Sequence, residues 1–178
     1  MYSYNQLCSA LNTVQDELIQ HHFWDKKLSK IDVNWILYST HYGFQNYYND
    51  KIHGTKGCIT IPAFSRSKFQ ELFGSNYVSL KDILRHEYGH AFAYCNKKLL
   101  SNEEFKNAFG GIHNNLSRFE YDPKYFVSQY AALNTMEDFA ETFMLYLEYS
   151  GILPNRFNFP AIADKWEFIY KLSRLKKG

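Results

Sequence analysis

An α+β fold is predicted by this sequence, with a small sheet near the amino terminus, a capped central helix after it and a helical carboxy-terminal half. Two observations carry that expectation. The β-rich segments are confined to the stretch before residue 62, and most of the chain beyond it reads as capped segments with apolar residues at three- and four-residue spacing. No repeat, low-complexity tract or linker divides the chain, so residues 1–178 are expected to form one domain. At that length about 70% of the surface of the unfolded chain can be buried.

Residues 4–23 place Leu7, Leu11, Val14, Leu18 and Ile19 at helical spacing, which predicts an amphipathic first helix. Residues 33–39 are β-rich, and residues 56–61 read as a second strand stopped by Pro62. Residues 58–61 are expected to form an exposed edge on which an extended peptide could add a strand. A short helix is predicted over 65–73, ending at Gly74. Ser79 is a good N-cap for the next helix, Asp82 completes a capping box, and Leu80, Ile83, Leu84, Ala91, Phe92 and Cys95 recur at helical spacing. Residues 101–109 begin with a capping box through Glu104 and stop at Gly110-Gly111, before a loop over 110–123. Asn134 or Thr135 caps a further helix whose apolar face carries Phe139, Phe143 and Leu147. Residues 160–175 form the last helix, with proline near its first turn.

Composition limits the function classes. A net charge of +2 argues against strong nonspecific nucleic-acid binding, and the basic end formed by Lys171, Arg174, Lys176 and Lys177 suits a solvated helix terminus. The aromatic fraction of 19% is high, and the expectation is that many rings replace aliphatic core. Cys8, Cys58 and Cys95 are odd in number and far apart, which excludes a disulfide framework. Polar residues come directly after Met1, and no apolar run is long enough to span a bilayer, so the expectation is a cytoplasmic protein without membrane contact, or one exported without a cleavable signal.

The most informative stretch is His86-Glu87-Tyr88-Gly89-His90. Two imidazoles four apart on a helix stack on one face and can grip one metal ion, and a glutamate directly after the first is a zinc-hydrolase signature. Glu87 is rotated about 100° from His86, too far to be the obvious third ligand but close enough to reach a water beside the metal. Gly89 costs about 1 kcal/mol relative to alanine in a helix interior, which is rational if another backbone packs closely there. Zinc needs a third protein ligand. Glu137 and Glu141 share a face of the later helix and suit a ligand plus an acceptor for a histidine's other ring nitrogen, although a solvated acidic first turn would read the same way. His21, His22, His41, His53 and His113 lack such a context.

Taken together, His86-Glu87-Tyr88-Gly89-His90 and Tyr130-Ala131-Ala132-Leu133-Asn134-Thr135-Met136-Glu137-Asp138-Phe139-Ala140-Glu141-Thr142-Phe143 resemble the catalytic domain of anthrax toxin lethal factor and its relatives, including the clostridial proline-proline endopeptidases. The resemblance spans residues 80–147 and implies a zincin-like fold. It also implies Zn2+ bound by His86, His90 and Glu137, with Glu87 as general base in the hydrolysis of a peptide or protein substrate. Tyr130 would then face the reacting carbonyl, and Glu141 would stand behind the metal. A preference for proline at the cut lies outside the matched motifs. Three rivals remain: a catalytically silent zinc-binding interaction domain, a deformylase-like amidohydrolase using Gly57-Cys58, and a helical module with a chance motif. Retention of Glu87 argues against the silent domain, because a closed structural site needs no base.

Overall fold

A computed structural model of the chain describes residues 2–37, 42–47, 56–65, 67–68, 71, 79–110 and 120–175. The first helix, α1 (Tyr4–Gln20), starts at a capping box between Ser3 and Gln6 and buries Leu7, Ala10, Val14 and Leu18. It ends earlier than expected because His22 takes a positive φ of 60° and the chain doubles back. The Phe23 N–H then donates to the Leu18 carbonyl at 2.8 Å, and the Phe23 ring enters the core.

The sheet has three strands, β1 (Ile31–Ile36), β2 (Gly43–Asn46) and β3 (Gly57–Pro62), in the order β1-β3-β2. β1 runs parallel to β3, with Ile31 opposite Gly57, and β2 runs antiparallel to it, with Phe44 opposite Ile59. This corrects two expectations. The segment 58–61 is not an edge: β3 is the central strand, and all six of its residues are buried. Among the described residues β1 and β2 are the outer strands, and the one beside α2 is β2, a four-residue strand opening on glycine, too short to show an alternating pattern. The first strand also sits earlier than 33–39, since pairing with β3 sets its start at Ile31.

The central helix α2 (Leu80–Cys95) has the expected cap: the Ser79 N–H donates to Asp82 Oδ2 at 2.8 Å, and the Asp82 N–H donates to Ser79 Oγ at 3.3 Å. Arg85, buried one residue before His86, donates to both carboxylate oxygens of Glu17 on α1 at 2.7 and 2.8 Å, and to Asp82 at 3.0 Å. A short helix α3 (Lys97–Leu100) comes next. In α4 (Glu103–Phe109) the N-cap is Asn102, accepting from the Phe105 N–H, rather than a box from Ser101 to Glu104. Gly110 ends that helix at φ +79°, a left-handed turn that favours glycine. A 3-10 turn over Ala131–Leu133 leads into α5 (Thr135–Glu148), and α6 (Pro160–Leu175) closes the chain at the predicted bounds. The predicted helix over 65–73 lies largely outside the described residues, as do His41, His53, His113, Lys176 and Lys177. No described helix is long and apolar enough to cross a membrane.

The packing between helices is aromatic, as the composition suggests. Phe23, Phe92, Phe139 and Phe143 are all buried, with ring centroids 4.8 to 6.4 Å apart among neighbours, and Phe105, Phe109 and Phe168 continue the cluster towards α4 and α6. α2 packs most extensively against α5. Gly89 makes that approach possible, since a Cβ there would stand 3.1 Å from Ala140 Cα, so no side chain separates the backbones. That crossing sets Glu137 and Glu141 opposite His86 and His90.

Candidate metal centre

One turn of α2 and one turn of α5 bring three donor atoms together. His90 Nε2 lies 3.0 Å from His86 Nε2 and 3.1 Å from Glu137 Oε2, and His86 Nε2 lies 3.2 Å from the same oxygen. Ligand atoms about 2.0 Å from a tetrahedral zinc stand roughly 3.3 Å apart, so the triangle has the size of one face of such a site. His86, His90 and Glu137 are the group able to hold a metal ion among the described residues. Two nitrogens, one carboxylate oxygen and a side open to the cleft form a donor set that fits zinc with one position left for water.

Behind the triangle the protein fixes one ring. His86 Nδ1–H donates to Glu141 Oε1 at 2.8 Å, which leaves Nε2 as the ring atom aimed at the triangle. Glu141 is fully buried, and its second oxygen accepts from the Ser128 hydroxyl at 2.6 Å. Ser128 Oγ in turn accepts from the Ala131 N–H at 3.0 Å. Glu137 reaches the triangle because Asn134 caps α5, its side-chain oxygen accepting from the Met136 and Glu137 N–H groups at 2.9 and 3.0 Å.

The electrostatics favour a cation at this point. Burial on its own lowers the pKa of His86, yet the hydrogen bonds to Glu137 and Glu141 outweigh it and hold the imidazole well above its ordinary value. Burial would raise Glu137, but its bonds to His86 and His90 pull the carboxyl well below the usual range. Carboxylates that stabilise a proton here would equally stabilise a metal ion in its place.

Glu87 points to the front of the triangle and is held from the sheet. One of its oxygens accepts from the Phe44 N–H on β2 at 2.7 Å. Gly43 permits the approach: its φ is +89°, and a Cβ there would meet both Glu87 oxygens at 2.9 Å. Tyr130 lines the same cleft, its ring centroid 5.7 Å from that of His86. Burial, followed by the charges of Glu137, Glu87 and Glu141, raises the phenol far above its usual pKa, so it remains a proton donor. The cleft encloses about 750 Å³ and runs from Gly43 and Phe44 past the triangle to Lys97 and Lys98.

The structure thus gathers all six residues singled out in the sequence: His86, His90 and Glu137 at the triangle, Glu141 behind it, and Glu87 and Tyr130 on the cleft side. It adds Ser128 and the pair Gly43 and Phe44, which no motif announces. Ser128 could have been sought by asking what satisfies the second oxygen of a buried Glu141. Phe44 holds Glu87 through its backbone N–H, for which its side chain gives no signal.

Two helices presenting two histidines and a glutamate to an open cleft define a candidate metal centre. Residues 52–166, more than half of the chain, match the model of a family described as "putative zinc-binding metallo-peptidase", and the chain belongs to that family. No curated protein and no solved structure matches the chain.

Proposed function

We propose that the protein is a zinc-dependent endopeptidase of zincin-like architecture, with His86, His90 and Glu137 as metal ligands and Glu87 as general base. The observation that carries this reading is that Glu87 and the three donor atoms face one cleft beside β2, an outer strand among the described residues. Zinc, when bound, would lower the pKa of a water towards 7 and polarise the substrate carbonyl. Glu87 takes the proton of the attacking water and passes it to the leaving amine, while the Phe44 N–H keeps its carboxylate aimed. Tyr130 donates a hydrogen bond towards the oxygen of the reacting carbonyl, and Glu141 with Ser128 keeps the His86 ring in register.

The substrate is an extended peptide. In a strand the N–H and C=O of one residue face the same side, so the Phe44 carbonyl and the main chain of Asn46 turn away from β3 with the Phe44 N–H. That edge can accept a peptide strand over the triangle, the role expected of residues 58–61 and now moved to β2. The likeness to lethal factor and the clostridial proline-proline endopeptidases supports the same assignments through its motif positions.

The alternative of a catalytically silent zinc domain leaves the fixed position of Glu87 without a purpose. A deformylase-like amidohydrolase would put Cys58 at the metal, but the Cys58 sulfur is buried on β3, 3.9 Å from Thr60 Oγ1. Cleavage of a peptide library by zinc-loaded protein tests the proposal, with Glu87→Gln at equal zinc content as control. The expected loss of turnover in Glu87→Gln is about 10² to 10⁴-fold. Equal turnover by the two proteins would remove Glu87 from the mechanism, and absence of cleavage by the wild type would favour the silent domain.

A further inference from the structure

Beyond the triangle the cleft changes character. It continues along the last turn of α2 through Ala93 and Tyr94 and reaches Lys97, Lys98 and Leu100 on α3. Among the described lining residues the charged side chains outside the histidines are Glu87 and Glu137, both at the triangle, and these two lysines. Neither lysine forms an ion pair with a carboxylate among the described residues. Lys97 is instead held by aromatic contact, its ammonium 4.4 Å from the centroid of the Tyr94 ring. That ring meets Phe44, on the edge strand that orients Glu87, at 5.8 Å. A continuous wall therefore links the general base to a cation whose charge no acidic side chain of the wall neutralises.

We infer that Lys97 and Lys98 form a carboxylate-recognition element, so that the preferred substrate is a peptide bearing a carboxylate a few residues from the cleaved bond. The inference rests on the peptidase reading and specifies its substrate class. At about 1.5 Å of rise per residue the end of α2 at Cys95 stands roughly 8 Å beyond His90, and Lys97 follows two residues later past the turn at Asn96, on the order of 10 Å from the triangle. An extended peptide advances about 3.3 Å per residue, which places the recognised carboxylate about three residues from the cut. An acidic side chain and the peptide's own C-terminal carboxylate present the same chemistry to the lysines.

A panel of peptides built on one cleaved sequence tests this. One arm places Glu or Gln three residues to either side of the cut with the C-terminus amidated. The other places a free or amidated C-terminus at that distance with no acidic side chain. The wild type should cleave the carboxylate-bearing member of the responsive arm with kcat/KM about three- to tenfold higher, and the advantage should shrink as salt is raised. In Lys97→Gln/Lys98→Gln the ratio should approach one. In Lys97→Glu/Lys98→Glu it should invert in favour of a peptide carrying Lys at the same place, a gain that mere damage to the fold cannot produce.

Binding of fluorescein-labelled panel members to Glu87→Gln protein, read by anisotropy, reports the same preference without turnover. A ratio near one in the wild type in both arms, or a ratio unchanged in both double variants, overturns the inference. Failure of the wild type to cleave any peptide would instead strike the peptidase reading, and the anisotropy ratios would still decide the role of the lysines.

Discussion

His86 and His90 stand one turn apart on α2, and the protein holds them in different ways. His86 is 3% exposed, with its Nδ1–H fixed by a buried glutamate that a buried serine fixes in turn. His90 is 19% exposed and faces the cleft, and its Nδ1 has no protein partner among the described residues. One half of the centre is thus built into the α2 and α5 packing, as firmly as the aromatic rings beside it, while the other half can adjust to what enters the cleft. The difference separates what keeps the fold from what keeps the metal.

Removing each histidine in chelator-treated protein and measuring urea unfolding should show the largest difference between the two. His86→Ala removes the imidazole whose Nδ1–H donates to the fully buried Glu141 and should cost about 3 kcal/mol or more. His90→Ala removes a side chain already open to the cleft and should cost less than about 1 kcal/mol. Equal losses would mean that the buried anchor contributes nothing to stability.

On the cleft side the fixed point is Glu87 rather than His90. With Glu87 as the proposed base, Gly43→Ala should leave zinc affinity unchanged while lowering peptide turnover about 10²-fold, because a Cβ pushes the carboxylate off its position on the Phe44 N–H. Turnover at the wild-type level would show that Glu87 needs no help from β2.

Smaller effects are expected behind the triangle of donor atoms. Glu141→Ala should weaken zinc binding about 10- to 100-fold in a competitive chelator titration, and Ser128→Ala by less than about tenfold, since Ser128 reaches the His86 ring through Glu141. A larger loss from Ser128→Ala than from Glu141→Ala would reverse the proposed chain of support.

Where the sequence is legible, the signals are local. Ser79 with Asp82, Asn134 before α5, Gly110 after α4 and Pro160 at the start of α6 announce helix ends through contacts within a few residues. His86 and His90 are legible because a helix turn places them together whatever surrounds it. Gly89 is readable as a sign of close packing, though nothing in the sequence names Ala140 as the partner. The placement of β2 at the edge, the hold of Phe44 on Glu87 and the role of Ser128 depend on pairing across long separations, with no periodicity to record them. Residues 58–61 therefore read as the edge from sequence, although their β-rich character reflects burial at the centre of the sheet.

In the proposed centre one zinc ion is held by two residues of α2 and one of α5, with Glu137 as the ligand and Glu141 outside the coordination sphere. Metal content per chain, measured on wild type, Glu137→Ala and Glu141→Ala after equilibration at one limiting zinc concentration, tests it most directly. About one zinc per chain is expected in the wild type, almost none in Glu137→Ala and an intermediate value in Glu141→Ala. A wild type that takes up no zinc, or a Glu141→Ala protein emptied while Glu137→Ala stays loaded, would contradict it.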